Sequence, residues 1–335
     1  VADRPAALFA LGAHHLPDLY PPRSMHRLQQ LVRIDQTVVA ERFDTDDVRA
    51  ALASSEFLIT GWGCPPITAA VLDAAPKLRA ILHTAGSVKS LLSPACWERG
   101  LAITSAAAAN AVPVAEYTLA AILFAGKDVF RLRDQYHASR NFTLAEVQAG
   151  IGNYGRTVGV IGASRIGRRV IELLRPFDFD VYLFDPYVDA VTAADLGVRL
   201  VDLDTLLRNC DIVSVHAPAN AQTDQLVGAE QLALLRDGAT LINTARGSLV
   251  DTDALIHHLE TGRLYAVLDV TDPEPLPHTS TLWELPNVFL TPHVAGSHGN
   301  ELARMGDCIV DELERVLDGR PFRHAIVATD LDRVA

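Results

Sequence analysis

"VGVIGASRIGR", residues 158–168, decides how this chain folds. An apolar run from Val158 to Ile161 stops at Gly162, and from Arg165 the spacing of apolar residues becomes helical. A buried strand that turns on a glycine into a helix is the first half of a β-α-β unit, so the sheet it belongs to is parallel. Gly162 and Gly167 are spaced as the outer glycines of G-x-G-x-x-G, where the first makes the tight turn and the third lets helix pack on strand. Ser164 stands where the second glycine lets backbone approach a pyrophosphate. A serine is small enough to be tolerated, because the amides of Arg165 and Ile166 still face an anion at the positive end of the helix dipole. By itself the turn also suits a doubly wound protein that binds no dinucleotide.

Working outward, Asp185 ends the next apolar run, "DVYLFD". It lies close to the roughly 20-residue offset at which an acid hydrogen-bonds the ribose hydroxyls of a dinucleotide. A carboxylate there repels the extra phosphate of NADP, so NAD is the expected cofactor. The other reading is a turn or N-cap aspartate before Pro186.

The rhythm continues through "VRLV", "IVSVHAP", "ATLINTA", "YAVLDV" and "VFLTP", with helical patterns between them. Upstream, "ALFAL", "QTVVAE", "FLIT" and "LRAILHT" alternate with "MHRLQQLV", "DDVRAAL" and "AAVLDAA" in the same way. The fold class is therefore α/β, with two doubly wound parallel-sheet domains in tandem. A helix at 110–126 and the polar stretch 131–156 lie between the two series, and the glycine-rich end of that stretch suits an interdomain connection. "NELARMGDCIVDELERVLDG" closes the chain as a helix of about five turns.

Length and composition agree with two domains. At 335 residues the chain exceeds one average domain, and 49% hydrophobic with 21% charged residues is ordinary for a globular protein. The net charge of −12, with no cluster of Lys and Arg, argues against nucleic acid as a partner. Cys64, Cys96, Cys210 and Cys308 form no C-x-x-C pair, which points to a reducing cytoplasm and to no metal or disulfide framework. The N-terminal apolar run is short and ends in His14 and His15, unlike an export signal. The most apolar region, around 106–126, is broken by Asn110, Pro113 and Glu116 and reads as a buried helix, so no membrane is expected as a partner.

In an open parallel sheet, ligands bind outside the carboxyl ends of the strands. Arg246 follows "ATLINTA", Asp269 closes "YAVLDV" with Glu274 soon after, and His293 follows "VFLTP". Arginine presents a rigid fork for a carboxylate, and histidine titrates near neutral pH beside a carboxylate that can orient it. Singly, each has an ordinary reading: a surface arginine, a solvated loop acid between two prolines, a satisfied histidine behind Pro292. Together, after successive strands of a cofactor domain, they form the parts of one acid-base site. His257 and His258 read as solvent-facing on a helix, His216 as a strand end, and no set of ligands suits a metal.

These residues resemble the D-2-hydroxyacid dehydrogenase family. "NTARGSLVDTDAL", "LDVTDPEPLP" and "LWELPNVFLTPHVAG" are similar to its arginine, glutamate and histidine segments, and "GVIGASRIGRRV" with "FDPY" to its NAD turn and ribose acid. "NAVPVAEYTLAAIL" is similar to its interdomain helix. The resemblance implies a flavodoxin-like substrate domain at 1–105 plus 299–335 and a Rossmann NAD-binding domain at 106–298. It implies hydride transfer between NAD(H) and a 2-keto or D-2-hydroxy acid, with Arg246 on the substrate carboxylate and His293 as general acid or base paired to Glu274. Asp269 would hold the nicotinamide carboxamide. Pro218, Thr223, Thr244, Ala245 and Gly296 join Gly162, Ser164, Arg165, Ile166, Gly167 and Asp185 around the cofactor. "HTAGSVKSL" aligns with the loop whose amides hold the substrate carboxylate, here Gly86, Ser87 and Val88. That loop lacks the G-x-D-x-x-D of many members, so it carries no substrate identity. Trp62 in "TGWGCP" is either a pocket wall or a core or hinge tryptophan. The helix 110–126 resembles a dimer contact, which implies a homodimer. Because the sequence stops soon after its last helix, the regulatory extension of some phosphoglycerate dehydrogenases is not expected here. An NADH-sensing, corepressor-like binding protein is the alternative on the same fold.

Overall fold

The computed structural model describes residues 4–141 and 151–333. Contacts divide the chain into two units, Val1–Asn110 with Ser297–Ala335, and Ala111–Gly296. The chain passes from one to the other inside the helix Ala107–Gly126 and again after Gly296.

The first unit contains a parallel sheet of β1 (Ala7–Ala10), β2 (Phe57–Thr60), β3 (Ala80–His83) and β4 (Ala102–Ser105), in that spatial order. Three of these strands are buried throughout because helices cover both faces, which is why they read as unbroken apolar runs. Successive side chains still part to opposite faces. Phe9, Phe57, Ile59 and Leu82 pack with Met25 and Leu28 of the helix Pro22–Leu31 and with Met305, Ile309 and Leu313 of Leu302–Leu317. Leu8, Leu58 and Ile81 pack on the other side with Val48, Leu52, Val71 and Leu72. Each such fully buried leucine or isoleucine contributes about 1.5–3 kcal/mol.

"QTVVAE" was expected as a strand, but it makes only a parallel bridge, Phe9 to Val39, preceded by Ala6 to Arg33. The physical reason is local: Asp35 accepts hydrogen bonds from the amide and hydroxyl of Thr37 at 2.9 and 2.7 Å, a turn that competes with the ladder. The segment nevertheless lies at the outer edge of β1. Counting it, the strand order is 2-1-3-4-5, flavodoxin-like, with the switch of direction between β1 and β2.

The second unit contains seven parallel strands: β5 (Thr157–Ile161), β6 (Asp180–Phe184), β7 (Arg199–Leu200), β8 (Ile212–Val215), β9 (Thr240–Asn243), β10 (Tyr265–Leu268) and β11 (Val288–Leu290). Their order, β11-β10-β9-β8-β5-β6-β7, is the doubly wound Rossmann arrangement, with its switch point between β5 and β8. β7 is only two exposed residues, shorter than "VRLV" implies, as suits an edge that ends in charge: Arg199 pairs with Asp180 at 2.9 Å.

The helix expected at 110–126 begins at Ala107. It is long and apolar enough to cross a membrane by length and composition. Its Ala115, Ala121, Ile122 and Ala125 are buried in the core of the second unit, in keeping with a core helix. The polar stretch 131–156, whose glycine-rich end was expected to suit an interdomain connection, falls within the second unit. Val129–Ser139 is a helix, bounded by the left-handed residues Asp128 (φ 52°) and Arg140 (φ 49°), and 142–150 lies outside the described residues.

Candidate active site

Gly162 follows β5 with φ 96°, a conformation glycine adopts without strain, and a Cβ there would lie 2.7 Å from the Ala217 amide nitrogen. A Cβ on Gly167 would overlap the Gly162 carbonyl oxygen. Both positions therefore demand glycine, the first for the turn and the second for helix-on-strand approach. Ser164 is the N-cap of the helix Arg165–Leu174, its Oγ accepting from the Gly167 amide at 3.3 Å. The amides of Arg165 and Ile166, in the first turn, have no partner within the helix. This donor set at a helix N-terminus fits a pyrophosphate.

Asp185 sits just past β6. Its Oδ2 accepts the Ala163 amide at 2.7 Å and its Oδ1 the Tyr187 amide at 2.8 Å. The turn role weighed in the sequence is thus present, and the same carboxylate braces the glycine turn. Each oxygen keeps a lone pair for a further donor. His216, behind the turn, is buried, with Nε2 2.8 Å from Ser214 Oγ, and desolvation pushes its pKa down to about 3. Pro218 and Thr223 close the next loop on themselves: the Thr223 hydroxyl donates to the Pro218 carbonyl at 2.6 Å.

Arg246, Glu274 and His293 leave the carboxyl ends of β9, β10 and β11, which are neighbours in the sheet. Arg246 is exposed, and its Nη1 donates to the Ala245 carbonyl at 2.6 Å. Its loop is clamped by Asn243, whose side chain accepts from the buried Ala245 at 3.0 Å and donates to the Arg246 carbonyl at 2.8 Å. Beside it, the buried Thr244 hydroxyl lies 3.0 Å from that of Thr118. A Cβ on Gly247 would overlap the Thr271 carbonyl, so the arginine loop rests on the segment leading to Glu274.

His293 Nδ1 lies 2.8 Å from Glu274 Oε1, and both side chains are nearly half exposed. An exposed pair of this kind adds little stability, but it fixes the ring orientation and leaves Nε2 on the far edge. His293 has φ 55°, uncommon for a residue with a Cβ. What holds it there is Asp269, 1% exposed, which accepts from Thr291 Oγ1 at 2.6 Å and from the amides of Val294 and Ala295 at 2.8 and 2.9 Å. Tyr117 in turn meets the Thr291 hydroxyl at 2.7 Å. Gly296, partly buried, ends this turn and the unit. Sequence reasoning missed Asn243, Thr291 and Tyr117. Only Asn243, polar at the end of an apolar run, carried a signal.

In the first unit, Gly86 and Ser87 are partly exposed and Val88 is buried in the core. Their amides make no hydrogen bond among the described residues. Beneath the loop, His83 Nδ1 lies 2.9 Å from Thr60 Oγ1 and Thr84 Oγ1 meets Tyr20 OH at 2.7 Å. Burial pushes the His83 pKa down to about 4. Trp62, just past β2, is 37% exposed rather than a core tryptophan. Among the described residues no cluster of His, Cys, Asp or Glu is placed to hold a metal ion.

The family model described as "D-isomer specific 2-hydroxyacid dehydrogenase, NAD binding domain" matches residues 119–295. A D-3-phosphoglycerate dehydrogenase of Methanocaldococcus jannaschii is 31% identical over 86% of this chain and 55% of its own, so the chain spans about half the length of that relative. A glyoxylate reductase of Korarchaeum cryptofilum is 29% identical over 88% of this chain and 89% of its own. A phosphoglycerate oxidoreductase from Rhizobium etli superposes with a TM-score of 0.83, covering 97% of this chain and 98% of that one at 23% identity, a likeness of fold alone. These matches do not favour the nucleotide-sensing alternative. With its glycine turn and this family match over more than half of its length, the chain belongs to the D-isomer specific 2-hydroxyacid dehydrogenases.

Proposed function

We propose that this chain is an NAD-dependent dehydrogenase interconverting a 2-keto acid and a D-2-hydroxy acid. The observation that carries the reading is the 2.8 Å contact of His293 Nδ1 with Glu274 Oε1 on the rim that also bears Arg246. When bound, the nicotinamide donates or accepts hydride at its C4. The protein supplies the rest. Arg246 binds the substrate carboxylate with its guanidinium fork and polarises the adjacent keto oxygen. His293 delivers a proton from Nε2 to that oxygen in reduction and removes it from the hydroxyl in oxidation, and the Glu274 carboxylate stabilises the charged ring. The amides of Gly86, Ser87 and Val88 take a carboxylate oxygen, and Trp62 borders the substrate. Asp269, with a lone pair remaining on Oδ2, accepts from the nicotinamide carboxamide, and Asp185 accepts from the ribose hydroxyls.

Asp185 also supports preference for NAD over NADP, since a second phosphate would face its charge. Half-exposed Phe124 on the helix Ala107–Gly126 supports a homodimer through that helix, and the absence of any disulfide among the four cysteines supports a reducing, cytoplasmic setting. The test is purified protein with NADH and a panel of 2-keto acids, followed at the nicotinamide absorbance band. His293→Ala is expected to lower kcat by about 10²-fold or more without changing NADH affinity. Near-normal kcat would reject the assignment.

A further inference from the structure

The rim of the four-stranded sheet carries, beside Trp62, two histidines that the proton and hydride transfers do not use. His14 and His15 follow β1, and Trp62 follows β2. The two imidazole rings lie 3.8 Å apart between centroids, and the His15 ring meets the Trp62 indole edge-on at 5.5 Å. The arrangement is built. The Gly12 amide donates to the Trp62 carbonyl at 2.7 Å, and a Cβ on Gly63, which has φ 80°, would lie 2.9 Å from the Gly12 nitrogen. Glu41 pins the start of the same loop by accepting the Ala13 amide at 2.8 Å. These loops flank the switch point between β1 and β2, where open α/β sheets bind ligands.

We infer that His14, His15 and Trp62 form the subsite for the substrate side chain, and that the side chain is polyhydroxylated, as in a sugar-derived 2-keto acid. The inference rests on the proposed dehydrogenase reading, with the substrate carboxylate on the amides of 86–88. The loop bearing those amides follows β3, one strand from Trp62 and two from His15. At a strand spacing of about 4.8 Å, a chain of four or so carbons beyond C2 runs from the loop across Trp62 toward His15.

The chemistry of the wall selects among side chains. The rings of His14, His15 and Trp62 meet one another at this corner, and an aryl or alkyl chain laid over them gains apolar contact with the indole but offers no partner to the ring nitrogens. Hydroxyls, each both donor and acceptor, supply that partner, while the C–H faces of the chain lie on the indole. A second carboxylate or phosphate is disfavoured by the carboxylates that face this corner: Glu41 on the Ala13 amide and Asp18 beside His15. His15 is also less readily charged than an ordinary imidazole, its pKa lowered by burial and by neighbouring His14.

The experiment measures NADH-dependent reduction of 2-keto-D-gluconate, phenylpyruvate, 2-oxoglutarate and pyruvate by the full chain, with NADH binding followed separately by fluorescence. The expected result is a kcat/KM for 2-keto-D-gluconate at least about 10-fold above the other three. His15→Ala should lower that value by about 10-fold, alter the pyruvate value by less than about 2-fold and leave NADH binding unchanged, and Trp62→Ala should lower the ratio of the 2-keto-D-gluconate value to the pyruvate value by about 10-fold. Preference for phenylpyruvate or 2-oxoglutarate, or an unchanged ratio in both variants, overturns the inference. Turnover of none of the four acids by a protein that binds NADH overturns the dehydrogenase reading, and this inference with it.

Discussion

Asp269 holds the turn that presents His293. The Asp269 carbonyl accepts the His293 amide at 2.9 Å, while its carboxylate takes the amides of the next two residues, Val294 and Ala295, at 2.8 and 2.9 Å. A histidine with φ 55° would otherwise relax, because the left-handed conformation costs a residue with a Cβ of order 1–3 kcal/mol.

Asp269→Asn therefore sets an amide NH₂ against backbone donors. The variant is expected to lose about 2 kcal/mol of stability and to lower kcat by about 10-fold or more, since the ring is no longer held. Denaturant unfolding together with steady-state kinetics checks both effects. Wild-type kcat in a correctly folded variant would show that the turn needs no such brace.

Glu274→Gln keeps a hydrogen-bond acceptor for His293 but removes the negative charge beside the ring. Expected is a fall in kcat of about 10–100-fold with the NADH dissociation constant unchanged, and a larger fall for Glu274→Ala, which also frees the ring to rotate. The comparison is made by fluorescence titration and initial rates on the same preparations.

Asp185→Ala removes the acceptor for Ala163 and Tyr187 as well as the charge proposed to face the ribose. NADH affinity should fall by about 10-fold, and the ratio of NADPH to NADH turnover should rise. An unchanged ratio would place cofactor choice elsewhere.

Two buried histidines make stability depend on acid. His83 and His216 titrate in the folded protein at about 4 and about 3, below the ordinary imidazole value of 6.5. Between those values the unfolded chain binds more protons than the folded one, so stability rises with pH through that window. Their contribution is complete above 6.5 and is lost as pH falls toward 4 and 3. Unfolding free energies measured from about pH 7 down to about pH 4.5 should fall, and His83→Gln should reduce the slope by about one proton. A slope identical to wild type would show that His83 does not titrate this way.

Ser164→Ala should cost about 1 kcal/mol by removing the cap on the Gly167 amide, whereas Ser164→Gly should cost only a few tenths and leave NADH binding intact. Thermal denaturation with and without NADH separates the two. Equal losses in both variants would deny the serine its capping role.

The amino-acid order alone determined the parallel sheets, because buried strands covered on both faces read as runs such as "TVGVI" and "TLIN" closed by glycine or a polar residue. It also determined which residues follow those strands, and hence Arg246, Glu274 and His293. Only the tertiary structure decided what supports them. Asp269 and Thr291 meet at 2.6 Å across 22 positions, and Thr60 and His83 at 2.9 Å across 23, pairings that no local period encodes. Glu312 shows the same limit: on helical spacing it is a surface acid, yet it is 2% exposed and accepts from Thr104 and the amides of Arg323 and His324. Periodicity reports which face a residue occupies. It is silent on which distant chain segment brings the hydrogen-bond partner that lets a polar group be buried, since that partner is chosen by packing in three dimensions.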